Sequence, residues 1–241
     1  FTIPTLDLNS QALTLNTSST HLTLSNPFAV GASESVDTQA GSLTLNGSAT
    51  LENNGIIESS AGSLTFNDSV TLDSSSIFLT GGSVAFNSVA QISGGELKLY
   101  ESALILGADV NMTDNSTLRL KSTDLSGGTE KVNLTGGTLE FGGNFSDFDK
   151  INADSATAFS MNDNTIISSD APMEIGGLEL NNFSLTLGSA TTDLTIQTAL
   201  KLESSGSQLI TNGADLNLPN LLLLNAGKVT SSGGTVTLTQ G

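Results

Sequence analysis

The sequence predicts an all-β chain wound as a parallel β-solenoid, with three short strands in each coil of about 20 residues and about 12 coils over residues 1–241. Three observations carry this. AGSLTLNGSATLENNG, from Ala40, aligns with AGSLTFNDSVTLDSSS, from Ala61, so that Leu43, Leu45, Asn46, Ser48 and Leu51 fall on Leu64, Phe66, Asn67, Ser69 and Leu72. Within each copy apolar and polar residues alternate, as in Leu43-Thr44-Leu45 and Leu118-Arg119-Leu120, which is the period of a strand with one buried face. The alternating segments are too short for helices and are separated by Gly-Gly, Ser-Gly or Asn-Gly.

Three tracks of inward residues follow from the repeat. The first runs Leu22, Leu43, Leu64, Val84, Leu104, Leu125, Phe145, Ile166 and Leu185. The second runs Leu8, Val30, Leu51, Leu72, Ile92, Met112, Leu134, Ile175, Ile196, then Leu216 or Leu218, and Val236 or Leu238. The third runs Leu15, Val36, Ile57, Phe78 or Leu79, Leu97, Leu118, Leu139, Phe159, Leu178, Leu200 and Leu221. Coils hydrogen-bonded one above another at about 4.8 Å stack like on like, and the usual chirality of parallel crossovers makes the coil right-handed. The outward Thr23, Thr44 and Thr65 form a ladder of β-branched residues. Asn46, Asn67 and Asn87 sit at a corner, where left-handed backbone angles and stacked amides suit Asn. The whole chain reads as one solenoid domain, with residues 142–170 as an irregular coil and loop segment.

Composition removes several classes of function. With 24 acidic residues against 7 basic ones, a formal charge of −17 and a single Arg, the chain lacks the basic footprint that neutralises phosphates, so nucleic acid and anionic membrane surfaces are not expected partners. The longest apolar run, Leu221 to Leu224, is far below the roughly 20 residues of a membrane-spanning helix. Without Cys there are no disulfides or thiolate metal sites. Phe1 in place of an initiator Met fits a piece of a longer chain.

SLTLNGSATLENNGIIES and SLTFNDSVTLDSS resemble the repeats of filamentous-haemagglutinin-type and autotransporter passenger proteins, the right-handed β-helical adhesins exported by Gram-negative bacteria. The resemblance covers most of the chain. It implies a non-enzymatic, extracellular or cell-surface module that holds or presents a binding surface for a host or neighbouring-cell ligand, a glycan among the possibilities. Self-assembly into a filament or surface layer, by end-to-end association of solenoids, is the alternative within the same class. An enzymatic alternative is a tailspike-like or lyase-like β-helix acting on glycans.

Candidate site residues are few. On the third track the outward residues Lys98, Arg119, Glu140, Ser160, Glu179 and Lys201 line up one per coil, and Arg119 with Glu140 and Glu179 with Lys201 are the expected pairs. Glu140 and Glu179 are also the carboxylates that a glycan-active β-helix would use, at a two-coil separation of about 10 Å. A surface charge ladder is the plainer reading. Asp147, Asp149 and Asp154 offer the oxygen ligands that calcium prefers, but the resemblance of Asp147-x-Asp149 to an EF-hand loop fails at Asn152, where Gly is required, and at Ala158, where Glu is required. His21 is the only histidine, so a nucleophile, base and acid constellation would have to form around that one residue. N-x-S/T sequons at Asn46, Asn67, Asn133 and Asn182 are candidate glycosylation positions. No cofactor is implied.

Overall fold

A computed structural model describes residues 1–145, 148–168, 172–190, 192–218 and 220–238. The chain is a parallel β-solenoid of about 11 turns with a spacing of about 21 residues. Its compact units are Phe1–Arg119 with Thr123–Asn133, and Leu120–Ser122 with Leu134–Gly241. The turn count is lower than the sequence spacing suggests because later turns are longer: Leu178 stacks on Leu200 and Ser184 on Gln208.

In the first unit the repeat closes as expected. Strands His21–Leu24, Ser42–Leu45, Ser63–Phe66, Ser83–Phe86, Ala103–Leu106 and Asp124–Gly127 stack in one sheet, with Leu22, Leu43, Leu64, Val84, Leu104 and Leu125 in register. A second sheet stacks Val30, Leu51, Leu72, Ile92 and Met112. A third stacks Val36, Ile57, Ile77 and Leu97. These side chains are buried, and each removes apolar surface worth about 1.5–3 kcal/mol from water. The rings of Phe66 and Phe86 stack at 5.2 Å between centroids and 9° between planes, one turn apart.

The third track needs two corrections here. Ile77, rather than Phe78 or Leu79, stacks between Ile57 and Leu97, and Phe78 points outward against Glu58 and Lys98 in the adjacent rungs. The pleat decides this, since a one-residue shift moves every side chain to the other face. Leu13, not Leu15, is the register partner of Val36, while Leu15 donates its backbone N–H to Asp37 at the corner.

The second unit widens its turns by fusing strands. Thr138–Phe145 and Ala158–Ile167 run through the corner that separates the third and first tracks elsewhere. The first half of Ala158–Ile167 pairs with Gly177–Glu179 and the second half with Ser184–Leu187. The described residues of 142–170 are therefore largely strand, with a 3-10 turn at Phe148–Lys150, and their irregularity lies in the register. Phe141 pairs with Met161 but Gly143 with Thr165, so one residue faces three. Gly142 occupies that bulge because a Cβ there would lie 2.2 Å from Asn162 Oδ1 and 2.6 Å from the Asp163 nitrogen. The slip also corrects the first track: Phe145 pairs with Ile167, and Ile166 is 53% exposed. Phe148 fills the widened interior, against Phe141 at 5.7 Å and Phe159 at 6.0 Å. Further along, Ile175 stacks on Ile196, and both apolar residues of the later strands hold register, Leu216 with Val236 and Leu218 with Leu238. The expected Leu221 is replaced as partner of Leu200 by Leu222.

Corners are held by polar groups. Thr123 Oγ1 donates to the Leu99 carbonyl at 2.6 Å and Ser116 Oγ to the Ile92 carbonyl at 3.1 Å, both from buried positions. The two hydroxyls, buried at corners, thereby find acceptors on strand carbonyls. Close backbone approach makes some glycines obligatory: a Cβ on Gly82, at φ 73°, would lie 1.8 Å from the Gly62 carbonyl oxygen. Substituting Phe86→Ala should cost about 3–5 kcal/mol through the cavity left in the stack, and Thr65→Ala on the outer face less than about 0.5 kcal/mol. Gly82→Ala should destabilise more than Thr65→Ala. Chemical denaturation of the three variants, followed by circular dichroism, checks the order.

Candidate functional site

Because the inward positions repeat, chemical variety is confined to the outer faces and corners. The first sheet of the first unit presents Thr23, Thr44 and Thr65 in adjacent rungs, followed by Ala85 and Ile105, with Ser42, Ser63 and Ser83 as a second column. Carboxylates and ammonium groups are absent from those positions.

The third sheet is its opposite in character. Asp37, Glu58, Phe78 and Lys98 occupy successive outward rungs in the first unit. Lys98 Nζ lies 2.7 Å from Glu96 Oε2 and Arg119 Nε 2.7 Å from Glu96 Oε1. The Arg119 contact is an ion pair by distance without the alignment of a directed hydrogen bond. Glu96, which the one-per-coil alignment leaves out, lies two residues before Lys98 on the same strand and therefore on the same face. The sequence signal for it was the Glu96-Leu97-Lys98 alternation.

In the second unit Glu140, Ser160, Glu179 and Lys201 form the expected ladder, and Lys201 Nζ reaches Glu179 Oε2 at 3.7 Å. Ser160 separates Glu140 from Glu179, so the two carboxylates stand two rungs apart. A shallow groove of about 230 Å3 runs beside Glu179, lined also by Thr157, Phe159, Gly177, Thr198 and Lys201.

Two of the three calcium candidates lie among the described residues. Asp147 lies outside the described residues, and Asp149 is exposed on the 3-10 turn. Asp154 acts as a corner bracket: its Oδ1 accepts from the Gly136 N–H at 3.0 Å, the Ala156 N–H at 3.1 Å and the Thr157 hydroxyl at 2.9 Å. The Gly136 N–H across the turn, with the other donors, holds its carboxyl below the usual range. Two further carboxylates are anchored similarly. Glu34 is lowered by the Gly31 and Ser10 N–H groups, and Asp163 by the Lys121 ammonium, 3.0 Å away. Among the described residues, no group of three or more His, Cys, Asp or Glu is placed to hold a metal.

Asn46, Asn67 and Asn87 form an amide ladder, in which Asn67 Nδ2 donates to Asn46 Oδ1 and Asn87 Nδ2 to Asn67 Oδ1, each at 2.7 Å. Their backbones are not left-handed, contrary to expectation. Left-handed angles fall instead at other corners, Asn53, Asn54, Ser74, Gly94, Asp114 and Asn115 among them. Asn133 donates to Asn111 Oδ1 at 2.9 Å. Asn182, at φ 88°, accepts from the Ser204 hydroxyl at 2.8 Å. Thus the sequon residues Asn46, Asn67, Asn133 and Asn182 each take part in inter-turn hydrogen bonds. His21 is exposed and its Nδ1 bonds the Ser42 hydroxyl one rung away.

The Asp154 bracket predicts an acid-sensitive corner. Its folded pKa lies below the unfolded one, so its contribution to stability is full above the unfolded value and is lost as pH falls through the folded value. Asp154→Asn should therefore flatten the fall in denaturation midpoint below about pH 5; an unchanged pH slope would refute the assignment. Comparison of the chain with protein-family models, with curated proteins and with solved structures returns no match in any of the three.

Proposed function

We propose that this chain is a non-enzymatic structural and adhesive module of a bacterial surface or secreted protein, displayed outside a Gram-negative cell. The observation that carries the reading is the solenoid itself: one inward pattern repeated turn after turn, which leaves the outer rungs free to vary without disturbing the core. The repeat's resemblance to exported β-helical adhesins gives the same reading. Glu140 and Glu179, the pair that an enzymatic reading would use, stand two rungs apart on an outward ladder, and the shallow groove beside Glu179 does not include Glu140 in its lining, which favours binding over a water-excluding catalytic cleft.

Self-association by end-to-end stacking is the second reading, since a strand of a parallel ladder left unpaired on one side is a template for a further strand. Latex beads coated with the chain should be retained on epithelial or bacterial cell layers under flow far better than beads coated with an unrelated protein of similar charge. Equal retention would refute the adhesive reading, and a sedimentation profile shifting to large species with concentration would favour assembly.

A further inference from the structure

The outward rungs of the third sheet in the first unit are not uniform. Asp37, Glu58 and Phe78 stand in consecutive rungs at about 4.8 Å spacing, and together with Gln39, Ser60 and Thr80 they enclose an open depression of about 250 Å3. Like charges directly opposite one another destabilise a sheet. Elsewhere on this face charges are offset: Glu96 has Lys98 and Arg119, and Glu179 has Lys201. At Asp37 and Glu58 the balance is missing. The Glu58 carboxylate has no hydrogen bond or ion pair among the described residues, its backbone carbonyl being the acceptor for the Thr38 N–H at 2.9 Å, and the base nearest to it in its ladder, Lys98, is two rungs away.

The side chains are oriented rather than merely exposed. The Gln39 N–H donates to Asp37 Oδ1 at 2.8 Å, which fixes that carboxylate and leaves Oδ2 for another donor. Phe78 has neighbours on its own face: the rings of Phe78 and Tyr100 form a T-shaped pair, at 5.7 Å between centroids and 83° between planes, and Lys98 Nζ lies 5.9 Å from the Phe78 centroid. Neither Tyr100 nor Lys98 lines the depression, whereas Phe78 does. The burial of a large apolar ring would favour an inward position, yet this Phe takes an outward rung between an acid and a base.

From this geometry we propose a site for a single uncharged sugar ring, the terminal residue of a neutral glycan. The proposal rests on the adhesive reading above and names its ligand class and place. A pyranose has one face of C–H groups, which suits the negative face of an aromatic ring, and an edge of hydroxyl donors, which suits two carboxylates with acceptor capacity to spare. Gln39 supplies both a donor and an acceptor, and Ser60 and Thr80 supply hydroxyls at the rim. The volume is below the roughly 300–1,000 Å3 typical of pockets for larger ligands, which limits the site to one ring. The carboxylates repel uronates, sialic acids and sulfated sugars. Calcium, which takes six to eight oxygen ligands, would find only two carboxylates.

Surface plasmon resonance of the chain over immobilised yeast mannan, β-glucan and N-acetylated chitooligosaccharide, with polygalacturonate and a sialylated glycan as anionic counterparts, tests this. At least one neutral surface should bind and the anionic ones should not. Phe78→Leu, which keeps apolar bulk but removes the ring, and Glu58→Gln should each weaken binding at least about tenfold, whereas Thr44→Ala on the uncharged face should not. Circular dichroism melts of the variants keep loss of fold apart from loss of the site. Binding that survives Phe78→Leu and Glu58→Gln, or no binding to any neutral glycan, would overturn the site. If coated beads still adhere to cells under either result, the adhesive reading stands without it; if unsubstituted beads do not adhere, that reading fails whatever the glycan result.

Discussion

Each strand of this chain finds its hydrogen-bond partner one turn away, and the parallel ladder so formed governs everything else. Every backbone N–H and C=O in a strand must be matched at a fixed spacing. The corners consequently pass so close to one another that side chains are excluded at some of them. The carbonyl of Gly62 lies where a Cβ of Gly82 would be, and the carbonyl of Gly41 where one of Gly62 would be, at 1.8 and 1.9 Å. The same ladder stacks like on like in the interior, as Phe66 on Phe86, so a change of size in one turn is felt in the next. The second unit illustrates the alternative: when turns lengthen, strands fuse across a corner, and Phe148 fills the space created.

Those constraints explain what was legible in the sequence. Regular turns could be read because ladder register requires the period to appear as letters: Leu43, Leu64 and Val84 share a rung and share a character. What could not be read were choices that the alternation leaves open. Ile77-Phe78-Leu79 is apolar throughout, so periodicity alone could not say which residues face inward, and pairing with Ile57 and Leu97 settled it. The bulge at Gly142 shifts register inside a strand whose letters continue to alternate, so Ile166 passed for a core residue. Buried corner hydroxyls such as Thr38, Thr192 and Thr211 carried no signal at all, because Thr in this composition is as common outside as inside.

The candidate sites divide along the same line. Glu179 with Lys201 follows from pure ladder arithmetic. Glu96 required a second column of the same face to be considered, and the Asp154 bracket depends on backbone donors, which leave no mark in the sequence. Of the carboxylates offered as metal ligands, Asp154 is thus a corner fastener, its Oδ1 committed to the Gly136 and Ala156 N–H groups and the Thr157 hydroxyl.

A solenoid separates stability from recognition more cleanly than most folds. Stability depends on interior stacks and corner approaches, whose residues are fixed by geometry, while outward rungs contribute little individually. An outer rung that keeps an unfavourable choice is therefore informative. Lys98 and Arg119 flank Glu96, which lowers repulsion on the third face at little structural cost. Exchanging Glu58 for a Lys would do the same for Asp37, since the two share adjacent rungs. The chain instead places two acids side by side and follows them with an outward phenylalanine. The phenylalanine is supported by Tyr100 and Lys98 of the next strand, but the paired acids do nothing for the ladder, and with the interior already satisfied by Val36, Ile57 and Ile77, what distinguishes them is their chemistry toward solvent.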